Sequence, residues 1–301
     1  MSVPLVRMTG ITVRYPGTLA CDGATLDLRP GEVHAVVGEN GAGKSTLMHV
    51  LAGLVRPVAG LVEVDGRPLA TGRPRESRRA GVAMVFQRFR LVQTLTVAQN
   101  VVLGADGTPF LLSARAIERR VAELSAALDL PIDPAARVED LSEGEKQRVE
   151  ILRVFSQGAR VLVLDEPTSV LTPAESERLV VWLRQRAADG LGVLFVSHKL
   201  PEVLAVADRI SVMRRGRVVA SGVLPGDCTP AGLAALIVGE AALSPGEGRP
   251  ADVRPGTRSQ PAAAAVLSLA RICARSDTGR ERLDDVDLAV AGGEVVGVAG
   301  V

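Results

Sequence analysis

Apolar residues fall along this chain in short blocks of two kinds, and the alternation between them predicts its layout. Val33-His34-Ala35-Val36-Val37, Val161-Leu162-Val163-Leu164 and Val193-Leu194-Phe195-Val196 are runs of four or five with almost no polar interruption. Such runs predict strands covered on both faces, as in a parallel sheet. Ala83-Met84-Val85-Phe86 is another, ending at Gln87. From about residue 96 to 150 the spacing turns helical, and Ala114 to Leu124 places apolar residues three and four apart. A further helix is predicted from Ala174 to about Ala188, with Pro173 in its first turn, where a missing N–H costs nothing. Strand, helix and strand in succession predict an α/β domain with a mostly parallel sheet.

Shorter strands surround this frame. Residues 5–14 alternate well enough to predict an edge strand. Leu26-Asp27-Leu28 and Val62-Glu63-Val64 are punctuated by Pro30-Gly31 and Asp65-Gly66 turns. Ile210 to Met213 and Arg217 to Ala220 form a hairpin about Arg215-Gly216, and residues 230–239 read as a short helix. Residues 244–263 are rich in Pro, Gly, Ser and Arg, the composition of a linker.

Beyond the linker the chain repeats itself. Pro30-Gly31-Glu32-Val33-His34-Ala35-Val36-Val37-Gly38 matches Gly292-Gly293-Glu294-Val295-Val296-Gly297-Val298-Ala299-Gly300, and upstream Leu26-Asp27-Leu28 matches Val286-Asp287-Leu288. A repeat changes the expected architecture. The expectation is one domain over 1–240, a linker over 241–263 and an incomplete second copy over 264–301, which stops one residue past the Gly38 equivalent.

Composition narrows the picture only where it excludes. The 301 residues carry 35 basic and 34 acidic side chains, a net charge of +1, so no basic excess points to nucleic acid. Aromatics make up 2%, which demands an aliphatic core and offers no base-stacking platform. Cys21, Cys228 and Cys273 are too scattered for a zinc site or a disulfide framework, and a reducing compartment is expected. The first residues lack a signal-peptide core, and no apolar stretch approaches the roughly 18 residues a bilayer requires.

The candidate chemistry sits at the ends of the apolar strands. Gly38-Glu39-Asn40-Gly41-Ala42-Gly43-Lys44-Ser45 has the spacing G-x-x-x-x-G-K-S, follows the Val33–Val37 run and enters a helix near Lys44. That is the context of a phosphate-binding loop: glycines let backbone N–H groups converge on an anion, and the helix N-terminus adds partial positive charge. Lys44 reaches terminal phosphates, and the Ser45 hydroxyl is a Mg²⁺ ligand. Asp165-Glu166 follows the strand ending at Leu164, which places two carboxylates at the carboxyl edge of the sheet. Asp165 suits Mg²⁺ held through water, and Glu166 suits polarising a water nucleophile. Ser142 and Glu145, three apart, make a capping box at a helix start.

Leu141-Ser142-Glu143-Gly144-Glu145-Lys146-Gln147-Arg148 resembles the signature motif of ABC-type ATPases, whose usual form is LSGGQ followed by QR. The order phosphate loop, Gln87, signature, Asp165-Glu166 and His198 is that family's order. The resemblance covers residues 4 to about 240 as one nucleotide-binding domain, with a helical subdomain over about 88–155, and residues 265–301 look like the start of a second. It implies a P-loop NTPase fold of the ABC type, with a mostly parallel core sheet, an antiparallel β subdomain and an inserted α-helical subdomain. It implies ATP and Mg²⁺ as ligands, held by Tyr15 against adenine, by Gly38, Glu39, Asn40, Gly41, Ala42, Gly43, Lys44, Ser45 and Thr46 along the phosphate loop, and by Ser142 and Gly144 from the signature. Ser45, Gln87 and Asp165 would meet the metal, and Glu166, His198 and Gln87 would carry hydrolysis. Two nucleotide-binding domains in one chain are typical of the ATP-binding subunits of simple-sugar and nucleoside importers, and Met84 to Gln87, Leu91 to Gly104, Glu166-Pro167-Thr168-Ser169-Val170-Leu171-Thr172-Pro173 and Ser197 to Leu200 look closest to the nucleoside branch. Expected partners are membrane permease subunits and a second nucleotide-binding domain or a second copy of the chain, at the cytoplasmic face of the membrane. No nucleic acid is expected. A soluble ABC ATPase acting on ribosomes or DNA, and a truncated regulator, are the alternatives. Arg88-Phe89-Arg90-Leu91-Val92 is apolar for a loop; it either docks a permease helix or packs against the helical subdomain. The signature has Glu143 and Glu145 where Gly and Gln are commoner, and Thr172 stands where many members carry an aspartate.

Overall fold

The three most apolar runs form the inside of one sheet. β3 (Val33–Val37), β7 (Val161–Asp165) and β8 (Gly192–Val196) are buried at every residue. The computed structural model describes residues 4–104, 113–239, 265–275 and 281–297. It divides the chain into two units, Met1–Ser244 and Pro245–Val301.

In the first unit, β3, β7 and β8 join β6 (Val82–Val85), β9 (Arg209–Arg214) and β10 (Arg217–Val223) in the order β10-β9-β3-β8-β7-β6. All neighbours are parallel except β10, which turns back on β9 through Arg215-Gly216. Period-two alternation sends Val33, Ala35, Val37, Val193, Phe195, Leu162 and Leu164 to one face. Val36, Leu194, Val196, Val161 and Val163 go to the other. The first face is covered by α3 (Val97–Val102), α5 (Glu143–Ser156), α6 (Pro173–Ala188), α7 (Leu200–Val206) and α8 (Pro230–Val238), and α4 (Ala114–Ala127) adds Val121 to the same core. Trp182 anchors α6 there: its indole N–H donates to Leu128 O at 2.7 Å and its ring meets Phe155 edge-on.

The second face packs on α1 (Lys44–Leu51) and on a four-stranded antiparallel sheet, and the short α2 (Pro74–Arg79) leads into β6. That sheet has the order β2-β1-β4-β5, from β1 (Val6–Tyr15), β2 (Thr18–Leu28), β4 (Ala59–Val64) and β5 (Arg67–Pro68). Here the alternation of residues 5–14 misleads: β1 is not an edge strand, because β4 returns to pair with its other side, Val6 opposite Val64.

The second unit holds β11 (Ala265–Arg275) and β12 (Glu281–Ala291), and this ribbon reproduces the β1–β2 pair in detail. Met8 pairs with Leu26 and Ile11 with Ala24; Leu269 pairs with Leu288 and Ile272 with Val286. Each ribbon bulges at two left-handed residues, Gly10 and Gly23 (φ 62° and 65°) in the first, Arg271 and Asp285 (φ 47° and 48°) in the second. The bulge N–H groups find equivalent acceptors. Gly10 N–H donates to Thr25 Oγ1 (3.1 Å) and Arg271 N–H to Asp287 Oδ1 (2.6 Å). Gly23 N–H donates to Thr12 Oγ1 (3.2 Å) and Asp285 N–H to Cys273 Sγ (3.3 Å). This register corrects the sequence match upstream of the turn: Leu288, not Val286, is the counterpart of Leu26. Val295, counterpart of the buried Val33, is 94% exposed and belongs to no strand. The expected linker, 241–263, lies outside the described residues, as do the last four residues of the repeat.

Candidate functional site

The loop between β3 and α1 is shaped by close backbone approaches. Gly43 has φ 104°, and a Cβ there would stand 2.2 Å from Ala20 O on β2; a Cβ on Gly38 would stand 2.2 Å from Met213 O on β9. The loop is therefore pressed between both sheets, and only glycine fits at its two ends. No side chain caps α1. Its first N–H groups are left to an external acceptor, and the helix dipole favours an anion there. Lys44 Nζ lies across the loop, donating to Gly38 O (2.7 Å) and Glu39 O (2.9 Å). Burial pulls the Lys44 pKa down, while the charges of Glu166 and Asp165 oppose that shift.

Two carboxylates at the end of β7 bear on this lysine. Asp165, the last residue of β7, accepts from Ser45 Oγ at 3.1 Å. Burial raises its pKa against the Ser45 hydrogen bond and the charges of His49 and Lys44. Glu166 adopts φ 49°, a left-handed conformation that a non-glycine residue takes only under constraint. Its N–H donates to Val196 O on β8 (2.9 Å). Both carboxylate oxygens are engaged: Oε2 accepts from Gln87 Nε2 at 2.9 Å, and Oε1 from His198 Nδ1 at 3.1 Å. Three strand ends thus converge on one carboxylate, and Lys44, Ser45, Gln87, Asp165, Glu166 and His198 form one cluster.

Two groups of expected residues lie elsewhere. Ser142 caps α5 through a capping box with Glu145, as its spacing predicts. Gly144 sits against α6, where a Cβ would overlap the Glu175 carboxylate at 2.2 Å. The signature segment therefore packs on α6 and not on the phosphate loop of its own unit. Thr172, at the variant position, caps α6 with Glu175. Tyr15, 40% exposed, stands at the turn of the β1–β2 hairpin, paired with Thr18. In the segment after Gln87, Leu91 is buried, Phe89 packs against the core and Val92 stays exposed. An open cleft of about 560 Å³ between α5 and α6, lined by Gly144, Gln147, Leu179 and Trp182, is separate from the Lys44 cluster.

Residues 21–169 match the family model described as ABC transporter, a span that runs from β2 past Glu166. Over that span the chain carries an ABC-type ATP-binding cassette. The cassette is 41% identical over 99% of its length to a ribose import ATP-binding protein of Rubrobacter xylanophilus, 57% of which is covered. It is 38% identical, over 99% of its length and 57% of the relative, to a nucleoside import ATP-binding protein of Lactococcus lactis. A guanosine import ATP-binding protein of Bacillus subtilis is 37% identical, with 99% and 56% covered. The chain thus spans little more than half the length of the curated relatives it matches. Among solved structures, the ADP conformation of an ABC transporter's ATP-binding cassette superposes with a TM-score of 0.69 at 23% identity, covering 79% of this chain and all of that one. The fold is shared: a mostly parallel α/β core with antiparallel strands and helices.

Sequence reasoning missed the residues that support the cassette's cluster. Phe86 packs 6.1 Å from the His49 ring, and the Arg90 guanidinium lies 3.6 Å over the Phe86 ring. Glu150, fully buried on α5, accepts from Arg90 N–H at 2.6 Å and pairs with Arg153. A second buried network fixes β3: Arg209 pairs with Glu32 (2.6 Å) and Asp27 (2.9 Å), and His34 lies beneath it. A polar residue inside an apolar run, such as Glu150 between Val149 and Ile151 or His34 between Val33 and Ala35, was the only signal available.

Proposed function

We propose that this cassette binds and hydrolyses ATP as the motor subunit of an importer for a nucleoside or simple sugar. The observation that carries the reading is the Glu166 carboxylate, held between Gln87 and His198 beside the buried Ser45–Asp165 pair and the uncapped α1. Lys44 and the α1 N-terminus bind the phosphates, and Tyr15 offers its exposed ring to the base. Glu166 accepts the proton of the attacking water at a carboxylate oxygen; Gln87 and His198 fix the plane of that carboxylate, which leaves its remaining lone pairs for the water. Held in a left-handed conformation, Glu166 points at the strand ends and cannot relax into the β7 ladder.

Hydroxyl, amide and carboxylate oxygens of Ser45, Gln87 and Asp165 are the hard donors that Mg²⁺ takes, so the residues present fit that ion and would hold it. When bound, Mg²⁺ supplies positive charge that screens the phosphates. Asp165, whose burial already disfavours a bare carboxylate, is suited to face a cation.

Since Ser142 caps α5 and Gly144 packs on α6, the signature serves a phosphate loop on another cassette, in a head-to-tail pair with a second nucleotide-binding domain or a second copy of the chain. The names of the curated relatives support nucleoside or sugar import, permease subunits as partners, and a place on the cytoplasmic face of the membrane. The ribbon of the second unit, with the bulges and acceptors of β1–β2, supports reading residues 265–297 as the opening of a second cassette. The test is Glu166→Gln: ATP binding persists and turnover falls by about 10²-fold, the scale of a lost general base. Turnover at the wild-type rate refutes the role of Glu166.

A further inference from the structure

Gln87 is exposed and lies in an irregular segment between β6 and α3, yet its amide meets Glu166 at 2.9 Å. Something must hold that segment. Three side chains on two helices grip its backbone. On α5, Glu150 Oε1 accepts from Arg90 N–H (2.6 Å) while Arg153 Nη1 donates to Arg90 O (3.0 Å), and Glu150 and Arg153 are paired with each other. On α3, the buried Asn100 accepts from Val92 N–H (2.8 Å) and donates to Val92 O (3.0 Å). Both polar groups of Arg90 and of Val92 are thereby satisfied by side chains, as a strand partner would satisfy them. From Arg90 the guanidinium reaches back over Phe86, the residue before Gln87, and Phe86 rests on His49 of α1.

We propose that Glu150 is a positioning residue for Gln87: with Arg153 it fixes Arg90, and through the Arg90–Phe86 stack it fixes the segment that presents the Gln87 amide to the metal-phosphate site. An apolar side chain would fill the Glu150 position at less desolvation cost, since a buried ion pair rarely outperforms a packed hydrophobic one in stability. What the charge pair adds is a defined grip on both the N–H and the C=O of one loop residue. Glu150 touches neither substrate nor reacting atoms, and its effect travels through Gln87 alone.

The inference rests on the reading of Gln87 as a metal ligand, and the experiment separates the two. ATP affinity is measured for the full chain by titration calorimetry, once with Mg²⁺ and once with excess chelator, for wild type, Gln87→Ala, Glu150→Gln, the double variant Glu150→Leu/Arg153→Met, and that double variant combined with Gln87→Ala. Removing both charges together leaves no unpaired ion in the core, and thermal melting checks the fold. The expected result is an unchanged affinity in chelator and a Mg²⁺-dependent gain reduced about tenfold in both Gln87→Ala and the double variant. Glu150→Gln, which still accepts from Arg90 N–H, falls between. Combining Gln87→Ala with the double variant causes no further loss. A full Mg²⁺ gain in the double variant, or losses that add when combined, overturns the role of Glu150 alone. A wild-type affinity indifferent to Mg²⁺, or a Gln87→Ala gain equal to wild type, overturns the metal reading of Gln87 and this proposal with it.

Discussion

His34 gives the cassette a pH-dependent stability that can be worked out from its surroundings. The residue is wholly buried in β3, the strand that delivers the phosphate loop. Its Nδ1 lies 2.8 Å from Asp27 O, and its Nε2 lies 2.8 Å from Ser211 Oγ. A second proton would have to enter a fully buried site, with the Arg209 guanidinium 3.2 Å from the ring. Burial and that positive charge push the pKa from 6.5 to about 4. The folded pKa lies below the unfolded one, so the unfolded chain binds the proton first as pH falls. Stability is full above pH 6.5 and is lost between there and pH 4, after which the loss levels off. The span corresponds to about 3 kcal/mol, of which roughly half is already gone at pH 5.5. His34→Gln keeps an amide donor and an acceptor but cannot titrate. Urea unfolding of both proteins across this range isolates the term, because the carboxylates titrate alike in each. The wild type should lose about 3 kcal/mol more than the variant between pH 7 and pH 4. Parallel profiles would refute the reasoning.

Gly43→Ala must move the loop off Ala20 O and hold alanine at φ 104°; ATP affinity should fall at least tenfold by titration and stability by about 1–3 kcal/mol by denaturant unfolding. If the α5 signature acts on another copy's phosphate loop, ATPase rate in dilute solution should rise more steeply than protein concentration, a self-complementary pair being its own activator. Strict proportionality down to nanomolar protein would exclude the paired site.

Most of the site was legible because each piece is local. Gly38 to Ser45 states its own turn and helix start, Asp165-Glu166 follows an apolar strand whose burial is certain, and Ser142 with Glu145 announces a cap. Burial on both faces of β3, β7 and β8 was equally plain from runs without polar interruption. What stayed hidden depends on partners far along the chain. β1 reads as an edge until β4 pairs with it. Phe89 and Leu91 read as an exposed apolar loop until helices close over them. Glu150 meets Arg90 across 60 positions and Arg209 meets His34 across 175, and no periodicity encodes a single ion pair at such a separation. The repeat was visible, but its upstream alignment was displaced by two residues. The bulges at Gly10 and Gly23 are held by side-chain acceptors whose chemistry changes from Thr12 to Cys273 and from Thr25 to Asp287, so residue identity conceals what the backbone preserves.

The central claim is that Lys44 and the uncapped α1 bind the phosphates of a single ATP beside Asp165 and Glu166. Titration calorimetry of Mg·ATP into wild type and Lys44→Ala tests it most directly. The expected result is one site per chain in the wild type and loss of most of the affinity in the variant, with the melting temperature without ligand little changed, because among the described residues the Lys44 ammonium hydrogen-bonds only to Gly38 O and Glu39 O of its own loop. Two equivalent sites per chain, or equal affinity in the variant, would contradict it.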